Sequence, residues 1–244
     1  MNPLAAPLTE ALTAPRISAM ENVAPVQVRS ERWLSLDTIW GVILPLGLLI
    51  TLNLTVIYPT DFWWHLRTGQ LIVSEHHIPR TDLFTFTRFG EPWINQAWLM
   101  HAGFYLLYRA GGLPLIIFAH ALTITTGYSL VLRVVTRYYG LRIGVLATLI
   151  GAALATNNWA PRPQSISFLG FGLLVYLIEE HRQGKTRRLW WVLPLFALWA
   201  NAHGAFVYGI AALGFYTLGR LWEFWRAGMP QAGRREVIEL AAIG

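Results

Sequence analysis

Two long stretches without a formal charge limit what this chain can fold into. Ile39 to Ile57 and Leu113 to Leu132 contain no Asp, Glu, Lys or Arg, and the second holds one histidine, His120. As a helix rising about 1.5 Å per residue, either run crosses a hydrocarbon core of about 30 Å. The composition points the same way. Charged residues make up 13% of the chain, against about 25% in soluble domains. The first run follows a long polar tail and has no small-residue cleavage pattern behind it, which argues against a signal peptide. The absence of cysteine excludes disulfides, thiolate metal sites and a cysteine nucleophile. The net charge of +6 is no sign of nucleic acid. Its Lys and Arg residues gather in short loops, where they set membrane orientation, and no basic, aromatic-lined soluble domain is visible.

Residues 1–36 are rich in Ala, Pro, Ser and Thr and read as a disordered tail. Arg29 and Arg32, just before the first apolar run, place that tail in the cytoplasm. Three later basic clusters should be cytoplasmic as well: Arg133, Arg137 and Arg142; His181, Arg182, Lys185, Arg187 and Arg188; and Arg226, Arg234 and Arg235. Spans near 39–57, 113–135, 143–158, 163–179, 189–202 and 204–222 satisfy all of them. The expected fold is therefore all-α, a polytopic transmembrane helical bundle over 37–244 with an external loop at 59–112 that carries interfacial helices. Within that loop, Phe62, Leu66, Gly69 and Val73 share a face and predict a helix over 62–75. Ile78 to Pro92 reads as loop from its prolines, glycine and threonines. Trp98 to Tyr108 is apolar but short, so it is assigned to the interface rather than to a span. Glu236 to Gly244 resembles the start of another helix, as in the N-terminal part of a longer protein. The chain shows no internal repeat of the sort that duplicated transporters carry.

This topology puts four polar clusters on the outer side. Asp61-Phe62-Trp63-Trp64-His65 follows the first span. A carboxylate flanked by interfacial tryptophans can serve as a general base on an acceptor hydroxyl, with His65 orienting it or sharing its proton. The plainer alternative is that Asp61 caps the helix starting at Phe62. Arg80, Asp82, Glu91 and Trp93 form the second cluster, in which Arg80 suits a phosphate; turn chemistry at Asp82 is the alternative. Arg162, held between Pro161 and Pro163, presents a fork that can bind two phosphate oxygens, or else it snorkels to headgroups. Asn201 and His203 lie in Trp199-Ala200-Asn201-Ala202-His203-Gly204, which is either a helix break lining a cavity or a simple hairpin turn. The histidines at 65, 76, 77, 101 and 203 lack the spacing of a recognised zinc motif, so no cofactor is expected, and a divalent metal, though compatible with the chain, has no motif to support it.

The stretch TDFWWHLRTGQLIVSEHHIPRTDLFTFTRFGEPWINQAWL at 60–99, RPQSISF at 162–168 and LWANAHGAFVYG at 198–209 resemble a group of bacterial multi-pass membrane proteins. That group is in turn similar to the C-type (GT-C) superfamily of membrane glycosyltransferases, which includes protein O-mannosyltransferases and aminoarabinose transferases. The resemblance covers about residues 38–225. It implies a polyprenyl-phosphate-linked sugar donor, transfer with inversion on the outer face, and a location in the inner or plasma membrane among membrane lipids. An acid just after the first span is base or acceptor binder in that superfamily, and Asp61 matches it. By the chemistry of their guanidinium groups, Arg162, with Arg80 as the weaker candidate, would bind the donor phosphate. Trp63, Trp64 and Trp93 would meet the sugar or the lipid. The chain departs from the pattern in two places. Phe62 stands where many members have a second acid, and Asn157-Asn158-Trp159 carries no carboxylate in the later external loop. A non-catalytic membrane protein, either a transporter or an assembly subunit, is the rival reading.

Overall fold

A computed structural model describes residues 35–54, 56–57, 61–228 and 238–240, apart from the side chains of Thr186 and Arg187. The expected tail falls almost wholly outside the described residues, as does most of 236–244. The described residues are helical, with seven α-helices: α1 Leu36–Asn53, α2 Phe62–Glu75, α3 Trp98–Tyr139, α4 Leu141–Leu154, α5 Ile166–Arg182, α6 Val192–Ala200 and α7 Phe206–Arg226. Each of the six expected spans corresponds to one of them, and α2 has the bounds read from its apolar face. Among the described residues, two helices, α1 and α3, are long and apolar enough to cross a membrane; α4 and the 188–200 segment are apolar but shorter. On α1, Leu44, Leu48 and Leu52 are buried, while Leu36, Ile39, Val42, Ile43, Leu46 and Ile50 are exposed. A contiguous apolar surface of that kind is costly in water and fits hydrocarbon.

α3 contains a break. Gly111 and Gly112 leave helical geometry, and Gly112 takes a φ of 66°, which favours a residue without a Cβ. Pro114 follows two residues later and fits a restarting helix, since proline is tolerated in a first turn. The expected short segment at 98–108 is therefore the arm Trp98–Ala110, set off from the long arm Leu113–Tyr139. The loop at 78–92 is more regular than its composition suggests. Thr81 and Pro92 form an antiparallel bridge, and Trp93 N–H donates to the Arg80 carbonyl at 2.7 Å. Phe84 and Trp93 then pack on Trp64 of α2, with ring centroids 6.2 and 6.0 Å away.

The bundle is organised around α3. Leu44, Leu48 and Leu52 of α1 meet Ala121, Ile124 and Leu132 of α3 and Val145 and Ala152 of α4. α5 approaches more closely. A Cβ on Gly127 would lie 2.3 Å from the Phe168 carbonyl oxygen, and one on Gly172 would lie 2.5 Å from the Gly127 carbonyl oxygen. The two backbones touch because neither helix carries a side chain there. At its far end α5 is fixed by charge. Glu180 is fully buried and bonded to Arg137 at 2.7 Å, to Lys185 at 2.8 Å and to Arg188. Tyr138 donates to buried Glu179 at 2.7 Å. Residues read in sequence only as orientation signals thus also neutralise two buried acids, which holds the ends of α3 and α5 together.

Gly127→Ala should destabilise the protein by about 1–3 kcal/mol, the usual cost of forcing atoms into a packed contact. Gly151→Ala, with nothing within 4 Å of the added carbon, should be neutral or slightly stabilising. Thermal unfolding of both variants in detergent checks the contrast. Equal midpoints would contradict the packing described.

Candidate functional site

Asp61 stands at the start of α2 but does not cap it. Its backbone is helical, and its side chain makes no capping bond. The carboxylate turns instead to Arg162, whose Nε donates to Oδ1 at 2.8 Å, each side chain being about one-third exposed (32% and 35%). The capping alternative raised from the sequence is not what the chain adopts. Arg162 is presented by local chemistry. Pro163 disfavours the α region for the residue before it, and Arg162 is extended at φ −140°, ψ 163°. The Ser165 hydroxyl donates to its carbonyl at 2.6 Å. Just upstream, the ring Nε2 of His120 on α3 donates to the Trp159 carbonyl at 2.8 Å, which pins the connection between α4 and α5 to the long arm.

One turn along α2, His65 Nε2 lies 3.8 Å from Asp61 Oδ2. Its Nδ1 is 2.9 Å from Nε2 of His101 on the short arm of α3. Both imidazoles are buried and stacked, with centroids 4.8 Å apart. Trp64 packs on both, at 3.9 and 5.3 Å. Burial holds His65 well below the ordinary imidazole range, at about 4, against the raising effect of Asp61 and with a lowering effect from Arg162. At neutral pH it is uncharged, so its contact with Asp61 is polar rather than an ion pair.

The other candidates are distributed around this centre. Trp63 is 46% exposed, whereas Trp64 is half-buried under Trp93 and Phe84. Arg80 is exposed. Asp82 accepts from Phe84 N–H at 2.8 Å, Thr85 N–H at 3.0 Å and the Thr85 hydroxyl at 2.5 Å. The Thr85 hydroxyl, with those two amides, draws its carboxyl below the usual range. Asn201 joins the start of α3 to the end of α6. It accepts from Trp98 Nε1 at 2.8 Å and donates to the Ala197 carbonyl at 2.8 Å. His203 lines a cavity of about 380 Å³ between α3 and α5, with Asn158, Gln164, Ser167, Phe168 and Phe171 among its other walls. The Trp199 indole donates to Ser167 Oγ at 2.9 Å, and that hydroxyl donates to His203 Nδ1 at 2.9 Å. Among the described residues, no group of three or more His, Asp or Glu is arranged to hold a metal ion.

The structure thus brings Asp61, His65 and Arg162 together from segments about a hundred residues apart. It sets His203 at a cavity whose wall includes Gln164 and Ser167, just beyond Arg162. Ser167 was not singled out in sequence, and His101 was weighed there only as a zinc ligand. The one available signal for His101 was a polar ring in an otherwise apolar short helix. Set against known proteins, the chain matches no family model, no curated protein and no solved structure.

His65 also makes a prediction about pH. The unfolded chain binds a proton at His65 below about 6.5, and the folded chain does so only below about 4. Between those values the unfolded state binds more protons, so stability falls as pH is lowered through this window. The melting midpoint should drop from pH 6.5 to pH 4, and the drop should be smaller in His65→Gln. The same pH dependence in both proteins would contradict the burial assigned to His65.

Proposed function

We propose that this chain is a multi-pass membrane glycosyltransferase. It transfers a sugar from a polyprenyl-phosphate donor to an acceptor hydroxyl at the outer face, with its N-terminal tail in the cytoplasm. The observation that carries the reading is the pairing of Asp61 with Arg162. A transferase of this kind needs a base for the acceptor and a cation for the departing phosphate. The two residues of suitable chemistry meet at 2.8 Å, beside a tryptophan-rich helix. The resemblance of 60–99, 162–168 and 198–209 to the C-type glycosyltransferases supports the same reaction, and the exposed apolar face of α1 and the length of α3 support a place in a membrane.

In the reaction, Asp61 takes the acceptor's hydroxyl proton as its oxygen attacks the anomeric carbon. The new C–O bond forms on the face opposite the phosphate. The old sugar–phosphate bond breaks, and polyprenyl phosphate leaves with the electron pair. Arg162 exchanges part of its contact with Asp61 for the phosphate oxygens, a bidentate geometry that guanidinium favours. Trp63 and Trp93 border the sugar, and Arg80 lies on the rim. The second reading, a non-catalytic subunit, draws on the same pair, because two opposite charges joined across 101 residues also serve as a strut.

Asp61→Asn separates the two. Asn keeps an oxygen for Arg162 but cannot take a proton at neutral pH. Transfer from a polyprenyl-phosphate sugar, assayed with the full-length protein, should fall about 10²–10⁴-fold with the folded yield nearly unchanged. Wild-type transfer rates in folded Asp61→Asn would remove Asp61 as base and favour the strut.

A further inference from the structure

We propose that His101 is a positioning residue for the site at Asp61: it fixes the proton of His65 on Nε2, so that this N–H is directed at the Asp61 carboxylate. The functional consequence rests on the transferase reading above; the assignment of the proton does not.

Two ring nitrogens, His65 Nδ1 and His101 Nε2, lie 2.9 Å apart. At that separation one of them carries a hydrogen and the other accepts it. Both rings are buried, so the choice has energetic consequences at each ring's remaining nitrogen. If His65 Nδ1 is the donor, neutral His65 turns a bare Nε2 lone pair toward Asp61 Oδ2, 3.8 Å away, and the two electron-rich atoms repel. His101 then carries its hydrogen on Nδ1, which is buried and has no hydrogen-bond partner among the described residues. That arrangement costs an orphaned donor as well as the repulsion. If His101 Nε2 is the donor, His65 holds its hydrogen on Nε2, facing a carboxylate that attracts it. The single remaining penalty is an unused lone pair on His101 Nδ1. The second arrangement has fewer unfavourable contacts and one additional favourable contact, so it is the state assigned.

The scaffold holds the pair in place. Gly69 lies four residues after His65, on the same face of α2, and its Cα rests on the His101 backbone. An added Cβ would come within 1.9 Å of the His101 carbonyl oxygen and 3.0 Å of Tyr105 Cβ. This close approach of α2 to α3 sets the two rings in contact. Trp64 packs on both rings from α2, and Phe62 and Leu66 join Phe104 and Ile116 of α3 in one buried cluster. The charged groups facing His65 are Asp61, at the head of its own helix, and Arg162, from the connection before α5. With His101 donating, the Asp61 carboxylate is approached by Arg162 Nε–H on Oδ1 and by His65 Nε2–H on the side of Oδ2. Its orientation toward an acceptor is then set from two directions, one of them relayed through His101.

The test is nitrogen-15 NMR of the histidine rings in the full-length protein in lipid nanodiscs at pH 7.5, with assignments from His65→Gln and His101→Gln. In the wild type His65 should be a neutral ring protonated on Nε2. His101→Met, which cannot donate, should lower the Nε2–H fraction of His65, because the attraction of Asp61 is then the one remaining bias. His101→Gln, whose amide can donate to His65 Nδ1, should restore the Nε2–H form. Transfer activity should follow the same order, about 10-fold lower in His101→Met, the scale of losing an imidazole's orienting partner, and recovered in His101→Gln. A wild-type His65 protonated on Nδ1 would overturn the proposal. So would an unchanged His65 tautomer in His101→Met. The wild-type spectrum decides even where the Met variant fails to fold. The expected tautomers together with transfer that is insensitive to Asp61 would sink the transferase reading and leave the role of His101 standing.

Discussion

Direct contact between helix backbones is the constraint on which the rest of this structure depends. α3 meets α2 at Gly69 and α5 at Gly127 and Gly172, and at each place an added methyl would overlap a carbonyl oxygen. Small residues that let backbones approach closely are one way to hold helices together. The contacts also position chemistry. The Gly69 contact brings His65 against His101. The Gly127–Gly172 contact seats α5, and with it the connection that presents Arg162 to Asp61.

The ion pairs divide between two environments. Glu179 and Glu180 are buried among Arg137, Lys185 and Arg188, where loss of one partner would leave an uncompensated charge at a cost of several kcal/mol. Asp61 and Arg162 are each about one-third exposed, so their attraction is screened by water and contributes less to stability. A pair of that kind can open for a ligand. The buried cluster is suited to holding the bundle, and the partly exposed pair is suited to exchange.

Much of the helical framework was legible in the sequence because it follows from apolar spacing. Phe62, Leu66, Gly69 and Val73 gave α2 its bounds, and the uncharged runs gave α1 and the long arm of α3. The break at Gly111-Gly112 was legible only as an end to a short apolar segment. The regular pairing across Thr81 and Pro92 was hidden, because threonine, proline and glycine say where a chain turns and not which residues it brings opposite one another. At the site, Asp61, His65 and Arg162 were each chosen for their residue type and place in the topology. The contact between Asp61 and Arg162 was not foreseen, since it spans more than a hundred positions and depends on how α5 sits against α3. His101 was missed for a related reason. Its significance comes from Gly69, a residue whose contribution is the lack of a side chain.

The contact between Asp61 and Arg162 is the centre of the site. Rotational-echo double-resonance solid-state NMR can measure that contact in the membrane-embedded protein, using carbon-13 at the Asp61 carboxylate and nitrogen-15 at the Arg162 guanidinium. With Nε 2.8 Å from Oδ1, the two labels should dephase each other strongly, and the effect should vanish in Arg162→Gln. A wild-type sample in lipid with no dephasing between the labels would contradict the site as described here.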